Sequence, residues 1–316
     1  MSAEISRDII KAAELLRAGK LVAIPTETVY GLAANALAPD AVINIFETKN
    51  RPHFDPLIVH VSSAEMANEY AKDLPGVAIK LMKAFWPGPL TIVLRKKNII
   101  PDIVTSGLET VGVRMPDHQL TLDLIAETGF PLAAPSANPF GYISPTSALH
   151  VMDQLGEKIP MILDGGDCQV GVESTIIDCT SEIPTVLRLG GTSMEKLMSI
   201  VGEVNLDTSG GSAPQAPGML LSHYAPRKKL LLGNIHELLH DHNENISILS
   251  FRDQFHNFKN IRLSETGDLH EAARNLFSAL RKLDEDSTTM ILAEPVPDYG
   301  IGRAINDRLR RASHVG

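Results

Sequence analysis

Cysteine is scarce in this chain of 316 residues: Cys168 and Cys179 are the two present. Two cysteines make neither a four-ligand zinc framework nor a disulfide scaffold, and both are expected to stay reduced in a cytoplasmic protein. Long apolar runs are also missing. None approaches the ~20 residues that span a bilayer. The first residues, Met1 to Leu16, carry Glu4 and Asp8 and contain no apolar stretch of the kind a signal peptide needs. Basic residues are outnumbered, 29 Lys+Arg against 38 Asp+Glu, for a net charge of −9. That argues against a nucleic-acid coat or a polybasic membrane binder. It leaves room for a small phosphate site, because a few local cations act whatever the total.

Several stock motifs are absent as well. There is no G-x-x-x-x-G-K-[ST], no G-x-G-x-x-G after a strand, no G-x-S-x-G and no H-E-x-x-H. Walker-type nucleotide hydrolysis, a dinucleotide fingerprint, a serine nucleophile elbow and a zincin site are thereby set aside. What is present is ordinary globular composition, 44% hydrophobic and 21% charged. It excludes collagen-like, coiled-coil and disordered chains and can supply a substantial core. The length favours two domains.

The segment Asp207 to Pro217 reads DTSGGSAPQAP, a linker composition without hydrophobic period. Before it, short apolar strands alternate with helical patterns: strands near Leu21–Ile24, Leu57–Val61, Leu90–Leu94, Val111–Arg114, Leu132–Ala134, Met161–Leu163, Thr175–Asp178 and Val186–Leu189. Ile5, Ile9, Ala13 and Leu16 recur at helical spacing. The pattern predicts an α/β sheet largely covered by helices. After the linker, Leu230–Leu232, Ile246–Ser250 and Met290–Ala293 read as strands. Leu269–Leu283 reads as an amphipathic helix in a smaller α/β unit.

Chemistry concentrates in polar turns that follow apolar strands, where open α/β sheets bind ligands. PTETVYGL, Pro25–Leu32, offers hydroxyls, a carboxylate and a phenol; a hydroxyl-capped turn explains it equally well. In KNRPHFDPLIVH, Lys49–His60, Lys49 and Arg51 either complement a helix C-terminus or form an anion site, Arg51 with a forked contact. A histidine at a strand end, His60, is more often structural. In TVGVRMP, Thr110–Pro116, Arg114 ends an apolar strand and needs an anionic partner. That partner is a ligand carboxylate or a structural acid. In APSANPFGYISPTS, Ser144 and Pro145 read as N-cap and N1 of a helix whose N-terminus could face phosphate, with Ser136 and Asn138 on the turn before it. In DGGDCQVGVESTIID and VLRLGG, Ser174 and Arg188 share a strand-end face, and Thr192 with Glu195 suggests a capping box. HELLHDH places His236 and His240 one turn apart, with His242 nearby and no third ligand evident, so a solvated surface is favoured over a metal site.

Taken in order, PTETVYGL, KNRPHFDPLIVH, WPGPLTIVL, TVGVRMP, APSAN, GVESTI and APGMLLSHYAP resemble the two-domain L-threonylcarbamoyladenylate synthase family over about Ile5 to Arg311. The resemblance implies a twisted, largely helix-covered YrdC-like α/β sheet domain over 1–206. It implies a linker and pocket lid over 207–226, and a smaller Rossmann-like α/β accessory domain over 227–316. It implies a nucleotidyltransferase that makes threonylcarbamoyl-AMP and pyrophosphate from L-threonine, bicarbonate and ATP, for tRNA N6-threonylcarbamoyladenosine modification. Carried over residue by residue, Thr28, His60, Arg114, Ala134 and Ser174 would contact threonine. Arg51, Asp55, Thr110, Ser136, Asn138, Ser144 and Arg188 would contact ATP, and Lys49 and Arg51 would face the reacting anions. Asp55 stands where relatives often have Asn, and Leu221 where some have Tyr. Mg2+ is expected on the ATP phosphates rather than in a protein cage. The expected partner is a downstream threonylcarbamoyl transferase acting on tRNA, with weak or no direct tRNA binding and no membrane. The alternatives are a non-catalytic, RNA-binding, translation-associated YrdC-like protein and a carbamoyl-phosphate-using relative. The latter larger family carries zinc-finger cysteine pairs, which this sequence lacks.

Overall fold

The computed structural model describes residues 2–208, 216–219, 223–242 and 244–314. Leu221 and most of the segment 207–217 lie outside the described residues. The N-terminal unit is a mixed sheet of eleven strands among the described residues. From one edge to the other it runs Glu4–Ser6, Met161–Leu163, Val22–Ile24, Gly31–Asn35, Leu132–Ala133, Ile58–His60, Thr110–Arg114, Leu90–Arg95, Thr175–Asp178, Thr185–Arg188 and Asn205–Leu206. The central strands are buried along nearly their whole length, as a sheet covered on both faces requires. Helices Ile9–Arg17 and Gln119–Thr128 pack against each other beside the first strands, around Ala12, Leu16, Leu124 and Ile125.

The second unit is a four-stranded, all-parallel sheet in the order Lys229–Leu232, Met290–Ala293, Ile246–Ser250, Lys259–Arg262. Helix Leu269–Asp284 buries the stripe Leu269, Ala272, Ala273, Leu276, Leu280 and Leu283. Each of its leucines contributes ~1.5–3 kcal/mol by leaving water. One apolar cluster runs through both units, joining Leu81, Leu90 and Val186 to Leu276, Phe277 and Ile305. Gly171 sits so close to the Ala273–Arg274 backbone that a Cβ would collide with it. Tyr142 donates its hydroxyl to Asp284 (2.6 Å) across the same junction.

Several local expectations are corrected. Ile5 is not on the first helix: Glu4–Ser6 pairs as a parallel edge strand with Met161–Leu163. The helix starts only at Ile9, capped by the Asp8 carboxylate, which accepts from the Lys11 amide (3.0 Å). Gly31–Asn35, read as part of a turn, is a strand antiparallel to Val22–Ile24. Ser144 is no N-cap. The Tyr30 amide donates to the Pro145 carbonyl and keeps that stretch non-helical. The helix runs from Ala148 to Leu155 under Ser147, which takes the His150 amide. Ser193 rather than Thr192 caps Met194–Val201, because Thr192 is tied to Thr175 and Pro89. Strand Lys259–Arg262 and helix Gly302–Ser313 are not among the elements expected above, although Ile305, Leu309 and Ala312 of the helix recur at helical spacing.

Candidate active site

The site forms where strand ends converge. His60 and Arg114 are register partners on adjacent parallel strands, so their side chains emerge together. Ser174 immediately precedes its strand, and its hydroxyl lies 2.8 Å from that of Thr91 on the neighbouring strand. The Pro25–Leu32 segment folds as a hydroxyl turn: Thr26 Oγ1 accepts from the Val29 amide (3.2 Å) and lies 2.8 Å from the Thr28 hydroxyl. Gly31 bridges to Ser136, which fixes the loop after Leu132–Ala133 against that turn.

Around the resulting cavity the buried charges are paired one by one. Arg51 meets Asp55 (2.8 Å) and donates to the Asp55 and Pro56 carbonyls. Arg114 meets Glu27 (2.7 Å). Glu173 accepts from Ser144 (2.5 Å) and from Arg308 of the second unit (2.8 Å). Arg188 differs. Its donors go to the Ser174 carbonyl (2.9 Å), the Ser174 hydroxyl (3.0 Å) and the Pro217 carbonyl (3.0 Å), with no carboxylate among the described residues. A buried arginine with only neutral partners leaves its charge available to an incoming anion.

Burial shifts the ionisations. It pushes Lys49 well below the usual lysine range, with Arg51 adding to the effect. It pushes Arg51 and Arg188 down, opposed by Asp55 and by Tyr224 respectively. His60 falls to about 3, first by burial and then by the Arg114 charge, so its ring is neutral at physiological pH. His223 is lowered well below the usual histidine value, by burial and then by Arg51 and Lys49. Burial raises Asp55, and Arg51 opposes it.

Of the residues singled out from the sequence, Thr28, Arg51, His60, Arg114, Ala134, Ser136, Ser174 and Arg188 line one cavity of about 50 Å3. The others stand behind its wall or beside it. Lys49 is 1% exposed and donates to the carbonyls of Ser136 (2.6 Å) and Asn138, bracing the loop from beneath. Asn138 donates to Pro139 and Tyr142. Asp55 faces Arg51, which accounts for an acid in a site built for anions. Ser144 is buried against Glu173. Thr110 opens into a second, smaller cavity that shares Ile58 and Pro217 with the first.

Glu27 and Glu173 are not singled out as partners from the sequence; Pro217, Gly218, His223 and Tyr224, which line the cavity, fall within the segment 207–226 expected as a lid but are not named individually there. Glu27 and Glu173 were legible only as acids within the motifs. Gly218 is at φ +79°, and a side chain there would strike the Tyr224 hydroxyl and Arg188. The His236 and His240 pair lies on a short helix and points to solvent. His240 is 89% exposed beside Asp241, and no group of three metal-binding side chains occurs among the described residues.

A mixed sheet whose strand ends close on an arginine-lined pocket, with a parallel-sheet unit packed against it, defines a two-unit α/β enzyme built to handle anions. The family described as "Telomere recombination" matches residues 14–190, and "Threonylcarbamoyl-AMP synthase, C-terminal domain" matches 190–314. Threonylcarbamoyl-AMP synthase of Pyrococcus abyssi is 44% identical over 96% of this chain and 93% of its own length. That of Bacillus subtilis is 41% identical over 96% and 92%. The crystal structure of the P. abyssi protein complexed with L-threonine superposes with a TM-score of 0.94 at 41% identity, covering 99% of this chain and 98% of that one. The chain belongs to the threonylcarbamoyl-AMP synthase family.

Proposed function

We propose that the pocket joins L-threonine, bicarbonate and ATP into threonylcarbamoyl-AMP and pyrophosphate. The observation that carries the reading is Arg188, buried at the cavity without a carboxylate partner, within the same lining as Arg51 and Arg114. Arg114 is held on one edge by Glu27 and keeps further donors for the threonine carboxylate. Thr28, His60, Ala134 and Ser174 surround the amino acid, and His60 does so as a neutral ring. Arg51, Ser136 and Arg188 face the triphosphate. Asp55 and Ser144 act through Arg51 and Glu173, and Lys49 and Asn138 hold the Ser136 loop.

The threonine amine attacks the bicarbonate carbon, water is lost, and an oxygen of the resulting carbamate attacks the α-phosphorus, with pyrophosphate leaving. The protein contributes orientation and charge neutralisation rather than a covalent nucleophile. Mg2+ enters with ATP as part of the substrate: the pocket carboxylates Glu27, Asp55 and Glu173 each engage an arginine.

The domains divide at 1–206, 207–226 and 227–316, and the middle segment acts as the lid. Its Pro217, Gly218, His223 and Tyr224 line a cavity of about 50 Å3, whereas ligand pockets are ~300–1,000 Å3. MgATP therefore enters only when the segment withdraws, and withdrawal of Pro217 would join the main cavity to the one at Thr110. Closure then excludes water from the carbamate. The buried, unbridged thiols of Cys168 and Cys179 fit a cytoplasmic setting. No helix among the described residues is long and apolar enough to cross a membrane. The product passes to a transferase acting on tRNA, with little direct tRNA contact by this chain. The test is pyrophosphate release with each of the three substrates omitted in turn; release that ignores the omission of threonine or bicarbonate sinks the reading.

A further inference from the structure

The helix Gly302–Ser313 turns three charged side chains inward: Asp307, Arg308 and Arg311 are all buried. Arg308 is fully buried and meets separate parts of the molecule. Its Nε donates to Glu173 (2.8 Å), one terminal nitrogen to the Leu189 carbonyl (2.9 Å) and the other to Asp307 (2.5 Å). Its guanidinium carbon lies over the Tyr224 ring, 4.8 Å from the ring centre. Arg311, three residues on, donates to the Met219 carbonyl (3.0 Å). One helix of the C-terminal unit thus holds the pocket-lining segment at Met219 and at Tyr224. Glu173 carries the contact onward through the hydroxyl of Ser144.

A buried ion pair is on average no more stabilising than well-packed apolar side chains, so stability alone gives little reason for this arginine. Its geometry gives a better one. A guanidinium combines a fork for a carboxylate with a flat face for an aromatic ring, and lysine offers neither. We propose that Arg308 is a positioning residue of the catalytic pocket, supplied by the C-terminal unit: it seats Tyr224 and holds Glu173 in the same pocket lining. The effect falls on the nucleotide side, because Tyr224 and Arg188 pack against the same Gly218. The Arg114–His60 side is reached only indirectly. What the pocket does rests on the function proposed above; the seating of Tyr224 does not.

The experiment uses full-length R308K and the double variant R308M/E173Q, which removes both charges while nearly keeping volume. Two readouts are taken. One is amide hydrogen exchange at Ala225, whose N–H donates to the Gly141 carbonyl next to Tyr224 (2.9 Å), with strand Leu90–Arg95 as internal reference. The other is the KM for ATP and for threonine from pyrophosphate release. In both variants Ala225 exchange should rise at least tenfold while Leu90–Arg95 is unchanged, and the KM for ATP should rise at least tenfold against less than threefold for threonine. Wild-type exchange and ATP KM in R308K would overturn the proposal. So would their return to wild-type values in R308M/E173Q, which would leave Arg308 a mere counter-charge for Glu173. Should the wild-type protein release no pyrophosphate, the functional reading fails on its own while the exchange measurement still decides the seating of Tyr224.

Discussion

The two units bury arginine to different ends. In the N-terminal unit, Arg51 and Arg114 are paired with acids of their own unit, Asp55 and Glu27, and Arg188 is left with neutral partners. In the C-terminal unit, Arg281 and Arg308 reach across the junction, to the Ile143 carbonyl and to Glu173, and Arg311 reaches the linker at Met219. The first set lines the cavity and the second holds residues of its wall and of the linker. A buried arginine is therefore not a binding residue by type; the partner it already has decides what it can still accept.

The largest effect should come from Arg114→Ala, which removes the proposed threonine anchor and strands Glu27. Turnover should fall at least a hundredfold, and chemical denaturation should show a loss of ~3–5 kcal/mol from the unpaired carboxylate. Adding Glu27→Gln should recover most of the stability and none of the turnover. A double variant that recovers both would make the pair purely structural.

Arg188→Ala should separate the two quantities the other way. With no carboxylate to strand, its denaturation midpoint should move little. The kcat/KM for ATP should drop about a hundredfold, equivalent to ~2.7 kcal/mol of lost transition-state stabilisation. A stability loss as large as that of Arg114→Ala would erase the distinction drawn between paired and available cations.

A smaller effect concerns acid. His60 has its pKa lowered to about 3 from an ordinary 6.5. The unfolded chain thus takes up its proton first. Stability is intact above pH 6.5 and is lost as pH falls from 6.5 toward 3. Denaturant titrations across that window should lose up to ~1.4 kcal/mol less per pH unit in His60→Asn than in the wild type. An unchanged slope would mean that His60 is not held neutral. The smallest effect is expected at His240→Ala on the exposed helix, where neither rate nor stability should move measurably; a drop in pyrophosphate release on treatment with a transition-metal chelator, with MgATP kept saturating, that this variant abolishes would reinstate the histidine pair as a metal site.

Much of the fold is legible in the chain because its signals are local. Met161–Leu163, Thr175–Asp178, Ile246–Ser250 and Met290–Ala293 are apolar runs between turn residues, and each forms a strand with those bounds. Gly31–Asn35 was hidden because its apolar residues adjoin a polar turn, and Glu4–Ser6 because its partner lies far along the chain. Ser144 shows how a local rule fails: its Ser-Pro pattern suits a helix start, but a hydrogen bond from Tyr30 to Pro145 holds the backbone out of the helix.

By itself the sequence determined which residue types could do the chemistry: a scarcity of cysteine, a net negative charge that argues against a polyanion coat, and ordered motifs that place Arg114 and Arg188 at strand ends, Ser174 just before a strand and Arg51 just after a helix. Tertiary structure alone decided how those charges are distributed. Glu27 meets Arg114 and Glu173 meets Arg308 across gaps of dozens of residues or more, and no spacing rule encodes such pairs. The physical reason is that a buried charge is defined by its neighbours: Lys49 became a brace, Arg188 kept only neutral hydrogen-bond partners, and Arg308 came to hold two residues of the pocket wall from behind.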